Sequence, residues 1–266
     1  MEKLNNKLGQ IKQSSKPGFM MHIVAGFPDM DSSEQIALQI LKSGTDLLEI
    51  QIPFSDPVAD GPVIASANEV SLSKGATVNK CLEMIQRIAG STDNPVLIMT
   101  YFNIVHHYGV DAFCNKARDI GVQGLIIPDY PFDEETGNEL IKACQNNQLA
   151  IIQVIASTTR PDRVLKIVQH ASGFVYCMAR TGITGKKTTV RTQTTDYLTS
   201  VRKQCDLPMA VGFGLSEKTQ IDALEPYADI MVVGSALIKE YADKPLDSGL
   251  KAVSHFIQSL TESERV

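Results

Sequence analysis

The chain is predicted to fold as an α/β protein, a (β/α)8 TIM barrel with an extra N-terminal helix. Three observations carry that prediction. Eight short apolar runs punctuate the 266 residues. Amphipathic segments of helical period lie between them. The length matches the roughly 250 residues usual for one such barrel.

The runs are MMHIVA (20–25), LLEIQI (47–52), VLIMTY (96–101), GLIIP (124–128), AIIQVI (150–155), GFVYCM (173–178), PMAVG (208–212) and IMVVG (230–234). They are continuous rather than alternating, as parallel strands buried on both faces are. Between them, SSEQIALQILKSG reads as a Ser-capped helix that stops at a C′ glycine, Gly44. CLEMIQRIAG and VDAFCNKARDIG repeat that ending at Gly90 and Gly121. DEETGNELIKACQ, PDRVLKIVQH, TTDYLTSVRKQC and SEKTQIDALEPY fill further gaps. Strands that alternate with helices favour a closed barrel over an open doubly wound sheet. Residues 1–14 read as a helix before the first strand. The Gly/Thr/Lys-rich stretch 181–192 reads as a mobile loop. No linker or composition break interrupts the chain, so residues 1–266 read as one domain.

Composition removes several functions. The net charge is −5 and no basic stripe is visible, which argues against nucleic acid. Five scattered cysteines without a CxxC pair read as reduced thiols of a cytoplasmic protein. The polar N-terminus lacks an apolar signal core, and no run approaches a membrane span. His106 and His107 are adjacent and would point apart, and no HxxxH or Cys/His cluster occurs, so no metal is expected.

Catalytic residues of such barrels sit at the C-terminal ends of strands and in the loops that follow. There the informative segment is LEIQIPFSDPVADGPVI. Glu49 lies inside an apolar strand, where an unpaired carboxylate is costly and its pKa rises. It is either a structural Glu paired with a cation or a proton carrier tuned by burial. Pro53, Pro57 and Pro62 stiffen the loop that carries Asp56 and Asp60. Each of those aspartates, taken alone beside Pro or Gly, reads first as a turn residue. GFG (212–214) and GSA (234–236) follow strands seven and eight, where barrels of this kind often bind phosphate. Glycine lets the backbone approach an anion, and Gly234-Ser235 opens an apparent helix. Either motif by itself is also an ordinary turn.

LEIQIPFSDPVADGP resembles the signature of the tryptophan synthase alpha subunit. AGFPD, TYFNIV, IPDYP, ARTGITG, GFG and GSA follow the family pattern in order across the barrel. The resemblance implies a lyase that splits indole-3-glycerol phosphate into indole and glyceraldehyde 3-phosphate. It places the catalytic carboxylates on Glu49 and Asp60, with Glu49 expected to be buried and Asp60 nearer solvent. Substrate contacts fall on Tyr101, Tyr176, Thr184 and Phe213, and the phosphate cup on Gly185, Gly214, Gly234 and Ser235. Asn103 and Asp129 match positions near the substrate or the partner, and Ile152 is a further apolar wall. The implied partner is the tryptophan synthase beta subunit in an α2β2 heterotetramer. Pyridoxal phosphate would belong to that partner, and no cofactor is expected in this chain. Thr184 would reach Asp60 as its loop closes. The chain departs from the family pattern at His22, Gln51, Ala65, Val70 and Ala179.

Two other classes remain open at this point. One is another barrel enzyme of phosphorylated sugars. A glycosidase would also use two carboxylates, but no Trp is present for sugar stacking, and against another phosphate-sugar aldolase no strand interior offers a Schiff-base Lys. The other is a subunit without its own activity that only stimulates a partner.

Overall fold

The structure, a computed structural model, describes residues 1–178, 192–212 and 214–261, without the side chains of 135–137. Eight parallel strands close into a barrel in sequence order. The first half runs α1 (Glu2–Gln13), β1 (Gly18–Val24), α2 (Met30–Lys42), β2 (Leu47–Gln51), α3 (Pro62–Ser73), α4 (Val78–Gly90), β3 (Val96–Met99), α5 (Phe102–Tyr108), α6 (Val110–Asp119) and β4 (Gly124–Ile126). The second half runs α7 (Glu135–Asn146), β5 (Ala150–Ala156), α8 (Pro161–Gln169), β6 (Val175–Met178), α9 (Thr192–Arg202), β7 (Met209–Gly212), α10 (Lys218–Leu224), β8 (Ile230–Val233), α11 (Ser235–Tyr241) and α12 (Leu246–Thr261).

All eight expected strands are present, most of them shorter by a residue or two at one end. Several helix ends differ from expectation. The cap of α2 is Asp29, whose side chain accepts from Ser32 N, so the helix begins two residues before Ser32. Gly44 and Gly121 follow their helices with φ of +92° and +86°, a conformation that costs glycine little. Gly90 instead ends α4 inside the helix, and Ser91 is the cap. Three helices go unread in the sequence, α12 (Leu246–Thr261) among them. The other two are α3, which starts with Pro62 at its first turn, and the seven-residue α5.

The barrel is a packed core at its base and a cavity at its mouth. Met20, Leu47, Leu97, Phe174, Ala210 and Ile230 fill the lower layers. Leu4, Leu8 and Ile11, spaced along one face of α1, join the same cluster and plug the N-terminal end. Each such burial is worth about 1.5–3 kcal/mol. Lys7 Nζ meets Asp46 Oδ1 at 3.3 Å and Lys3 Nζ donates to Thr92 O, which pins the helix over the base. One layer higher the inward positions turn polar or vanish. His22, Glu49 and Gln51 stand on β1 and β2, while Gly212 and Gly234, at the ends of β7 and β8, leave the adjoining wall without side chains.

All five cysteines are buried and none is disulfide-bonded. Burial pushes the Cys81 thiol up to about 12. No helix among the described residues is long and apolar enough to cross a membrane.

Candidate active site

A cavity of about 280 Å3 opens at the C-terminal mouth of the barrel. Small-molecule sites usually measure about 300–1,000 Å3. It brings Glu49, Asp60, Tyr176, Gly214, Gly234 and Ser235 together in one place. These residues come from β2, β6, β7 and β8 and the segments that follow them, which converge there only because the sheet closes.

Glu49 is 1% exposed, and Asp60 is half-buried, the contrast that the sequence reading expects. Glu49 is held by its strand register beside His22, whose Nδ1 lies 3.3 Å from Glu49 Oε2. Asp60 is held by its loop and by polar neighbours. Gln51 Nε2 donates to Asp60 Oδ2 at 2.7 Å and to Asn68 Oδ1 at 3.2 Å. Asn68 Oδ1 also accepts from Phe54 N at 2.9 Å, which ties the Pro-rich loop to α3. Burial raises the Asp60 carboxyl above its ordinary value, and the bond from Gln51 and the charge of His22 only partly oppose that.

Tyr101 is fully buried and does not line the cavity. Its hydroxyl accepts from Ala59 N at 3.1 Å and its ring stacks on Phe54, with centroids 5.1 Å apart. It therefore supports the Asp60 loop from behind. Tyr176 packs against the glycine wall, and a Cβ at Gly212 would lie 2.6 Å from its ring. Gly214 has a φ of +67°, a left-handed turn that favours glycine. Asp129 is exposed and accepts from Phe102 N at 2.8 Å, which starts α5. Ile152 is buried in the barrel interior, and Asn103 lies on α5. Thr184, Gly185, Phe213 and the loop 181–191 lie outside the described residues.

Gln51 and Asn68 are the site residues that sequence reading misses. Gln51 stands out there only as a departure from a family pattern. Asn68 carries no signal in the sequence, because its burial and its place on α3 emerge only with the fold. Among the described residues, no group of three or more His, Cys, Asp or Glu side chains is placed to hold a metal ion.

Comparison with known proteins follows the same line. A family model described as tryptophan synthase alpha chain matches residues 8–264. The tryptophan synthase alpha chain of Desulforapulum autotrophicum is 43% identical over 241 residues, covering 91% of this chain and 93% of the relative. That of Alkaliphilus metalliredigens is 34% identical over 263 residues, 98% of each chain. Among solved structures, tryptophan synthase from M. tuberculosis in an aminoacrylate-bound form superposes with a TM-score of 0.86 at 28% identity, covering 97% of both chains. A mutant alpha subunit from Pyrococcus furiosus gives 0.84 at 27% identity, covering 92% of this chain and 98% of that one.

Proposed function

The chain belongs to the tryptophan synthase alpha chain family, and from that premise we propose that it cleaves indole-3-glycerol phosphate to indole and glyceraldehyde 3-phosphate. The observation that carries this reading is a buried carboxylate and a half-buried one facing a single cavity with a glycine-lined wall. Indole is a poor carbanion leaving group. Protonation at ring carbon 3 makes the ring an electron sink, and the carbon–carbon bond can then break. Glu49 supplies that proton and removes the one on the adjacent glycerol hydroxyl. Asp60 accepts a hydrogen bond from the ring N–H and offsets the positive charge that develops there. The two roles need different environments, and burial differs accordingly. The test is incubation with indole-3-glycerol phosphate and detection of free indole. A folded chain that releases none refutes the reading.

The phosphate is assigned to Gly185, Gly214, Gly234 and Ser235. Replacing Gly234 tests this poorly, because a Cβ there would sit 3.3 Å from His22 and disturb that side chain as well. Ser235→Asp is the cleaner variant. A carboxylate in the first turn of α11 suits the helix, so thermal stability should hold. Against a phosphate it is repulsive, by about 4 kcal/mol for unit charges 4 Å apart at an effective dielectric near 20. Affinity for glycerol 3-phosphate, measured by calorimetry, should fall at least about tenfold. Unchanged affinity would place the phosphate elsewhere.

The partner proposed for this chain is the tryptophan synthase beta subunit, in an α2β2 assembly that passes indole directly across. Val58, on the loop between β2 and α3 at the mouth of the barrel, is an apolar residue left 79% exposed. A matched beta subunit should accelerate cleavage by about 5- to 150-fold, the range of ordinary allosteric coupling. Thr184→Val should blunt that acceleration more than it weakens assembly. An unchanged rate in a complex verified by sedimentation would rule the coupling out.

A further inference from the structure

His22 and Glu49 are register partners on adjacent parallel strands, and both side chains point into the barrel. They are 5% and 1% exposed. His22 Nδ1 stands 3.3 Å from Glu49 Oε2, at ion-pair distance. Glu49 Oε2 and His22 Nε2 are both buried without a hydrogen-bond partner, so the close approach of the imidazole Nδ1 is the polar contact left to Glu49 Oε2. The absence of a side chain at Gly234 gives the imidazole its room, since a Cβ there would touch the ring at 3.3 Å. An imidazole that served only to fill space would be better replaced by an apolar ring, because burying its nitrogens unpaired is costly.

We propose that His22 is the positioning residue of the cleavage reaction, sharing one proton with Glu49 across the seam between β1 and β2. The proposal rests on the lyase reading given above. The couple begins with one proton. Glu49 passes it to ring carbon 3. The carbon–carbon bond breaks with its electron pair returning to the ring, and the hydroxyl proton goes to the couple. The couple ends as it began, with the proton resident on either member between the two transfers.

The surroundings agree. Burial alone would lower the His22 pKa, yet the charge and close approach of Glu49, then the charge of Asp60 and the side chain of Gln51, raise it. Tyr176, from β6 across the cavity, is kept a neutral phenol by burial and by the charges of Glu49 and Asp60. Gly234 and Ser235, on the β8 side, bring no charged side chain.

Two measurements test the couple. In the first, ring nitrogen signals of His22 are followed by NMR through a pH titration, in the wild-type chain and in Glu49→Gln. The wild-type imidazole should titrate above the ordinary value of about 6.5. In Glu49→Gln its midpoint should fall by at least about one unit, because burial is then opposed only by the Asp60 charge and the Gln51 side chain. In the second, the pH profile of kcat for indole release is compared with that of His22→Asn, which keeps an N–H donor but holds no titrating proton. The alkaline limb should move to lower pH by about one unit, with KM within about twofold. Equal His22 midpoints in the two chains, or coincident alkaline limbs, would overturn the proposal. If the wild-type chain releases no indole, the lyase reading fails, and the NMR comparison still decides whether the couple exists.

Discussion

Glu49→Gln is expected to abolish indole release, with kcat falling by about 10^2- to 10^4-fold, the usual contribution of a positioned general acid–base. The amide keeps the shape and volume of the carboxyl but has no proton to give to ring carbon 3. The fold should survive, because the amide keeps the volume of the carboxyl at a site that is 1% exposed, and His22, no longer beside a carboxylate, stands neutral. Thermal stability should therefore hold. Indole detection and a thermal melt on the same preparation check both halves. Near-normal turnover in the folded variant would transfer the proton chemistry to another group and remove the basis of the lyase mechanism.

The carboxylate at the centre of that experiment is legible in the sequence for a simple reason. A charge inside a continuous apolar run has nowhere wet to go, and LLEIQI displays it directly. The strands are legible on the same ground, since both faces of a parallel barrel strand must be apolar. Its register is not. Continuous apolar runs carry no alternation to fix which residue faces which, so the contact of His22 with Glu49, 27 positions apart in sequence, emerges only from the closed sheet. The helix α3 is hidden because PVIASANEVSLS mixes small and β-branched residues without a charged face. Its Pro62 looks like the end of a stiff loop and is instead the first turn of a helix. Gln51 and Asn68 escape because a polar side chain is informative only once its partner is known. Tyr101, which the family resemblance gives as a substrate contact, has its ring packed behind the Asp60 loop, a placement that only the folded chain reveals.

Asp60→Asn is expected to move stability and activity in opposite directions. In the folded chain burial raises the Asp60 carboxyl above its ordinary value, with the Gln51 bond and the His22 charge as partial offsets. The folded state therefore holds that proton more tightly than the unfolded chain does. The stabilising contribution is fully present below the unfolded value of about 3.9. It is lost as pH rises through the raised folded value, and the ionised group at pH 7 is a net cost to the fold. Asn removes that cost and still presents an oxygen to Gln51 Nε2, which now lies 2.7 Å from Asp60 Oδ2. The variant should melt above the wild type at pH 7, and the gap should close as pH falls below about 4. Cleavage should suffer, because a neutral amide cannot offset the positive charge that grows on the indole nitrogen. A loss of about 10^2-fold in kcat is the scale expected when one preorganised electrostatic group is removed. A gain in stability paid against a loss of rate marks a residue retained for chemistry rather than for folding. Two outcomes would break the argument. If the variant melts lower than the wild type at pH 7, Asp60 is a structural carboxylate whose charge the fold uses. If it melts higher but cleaves at the wild-type rate, the ring nitrogen is served by another group, and Gln51, which already points its amide at the same place, is the first to replace.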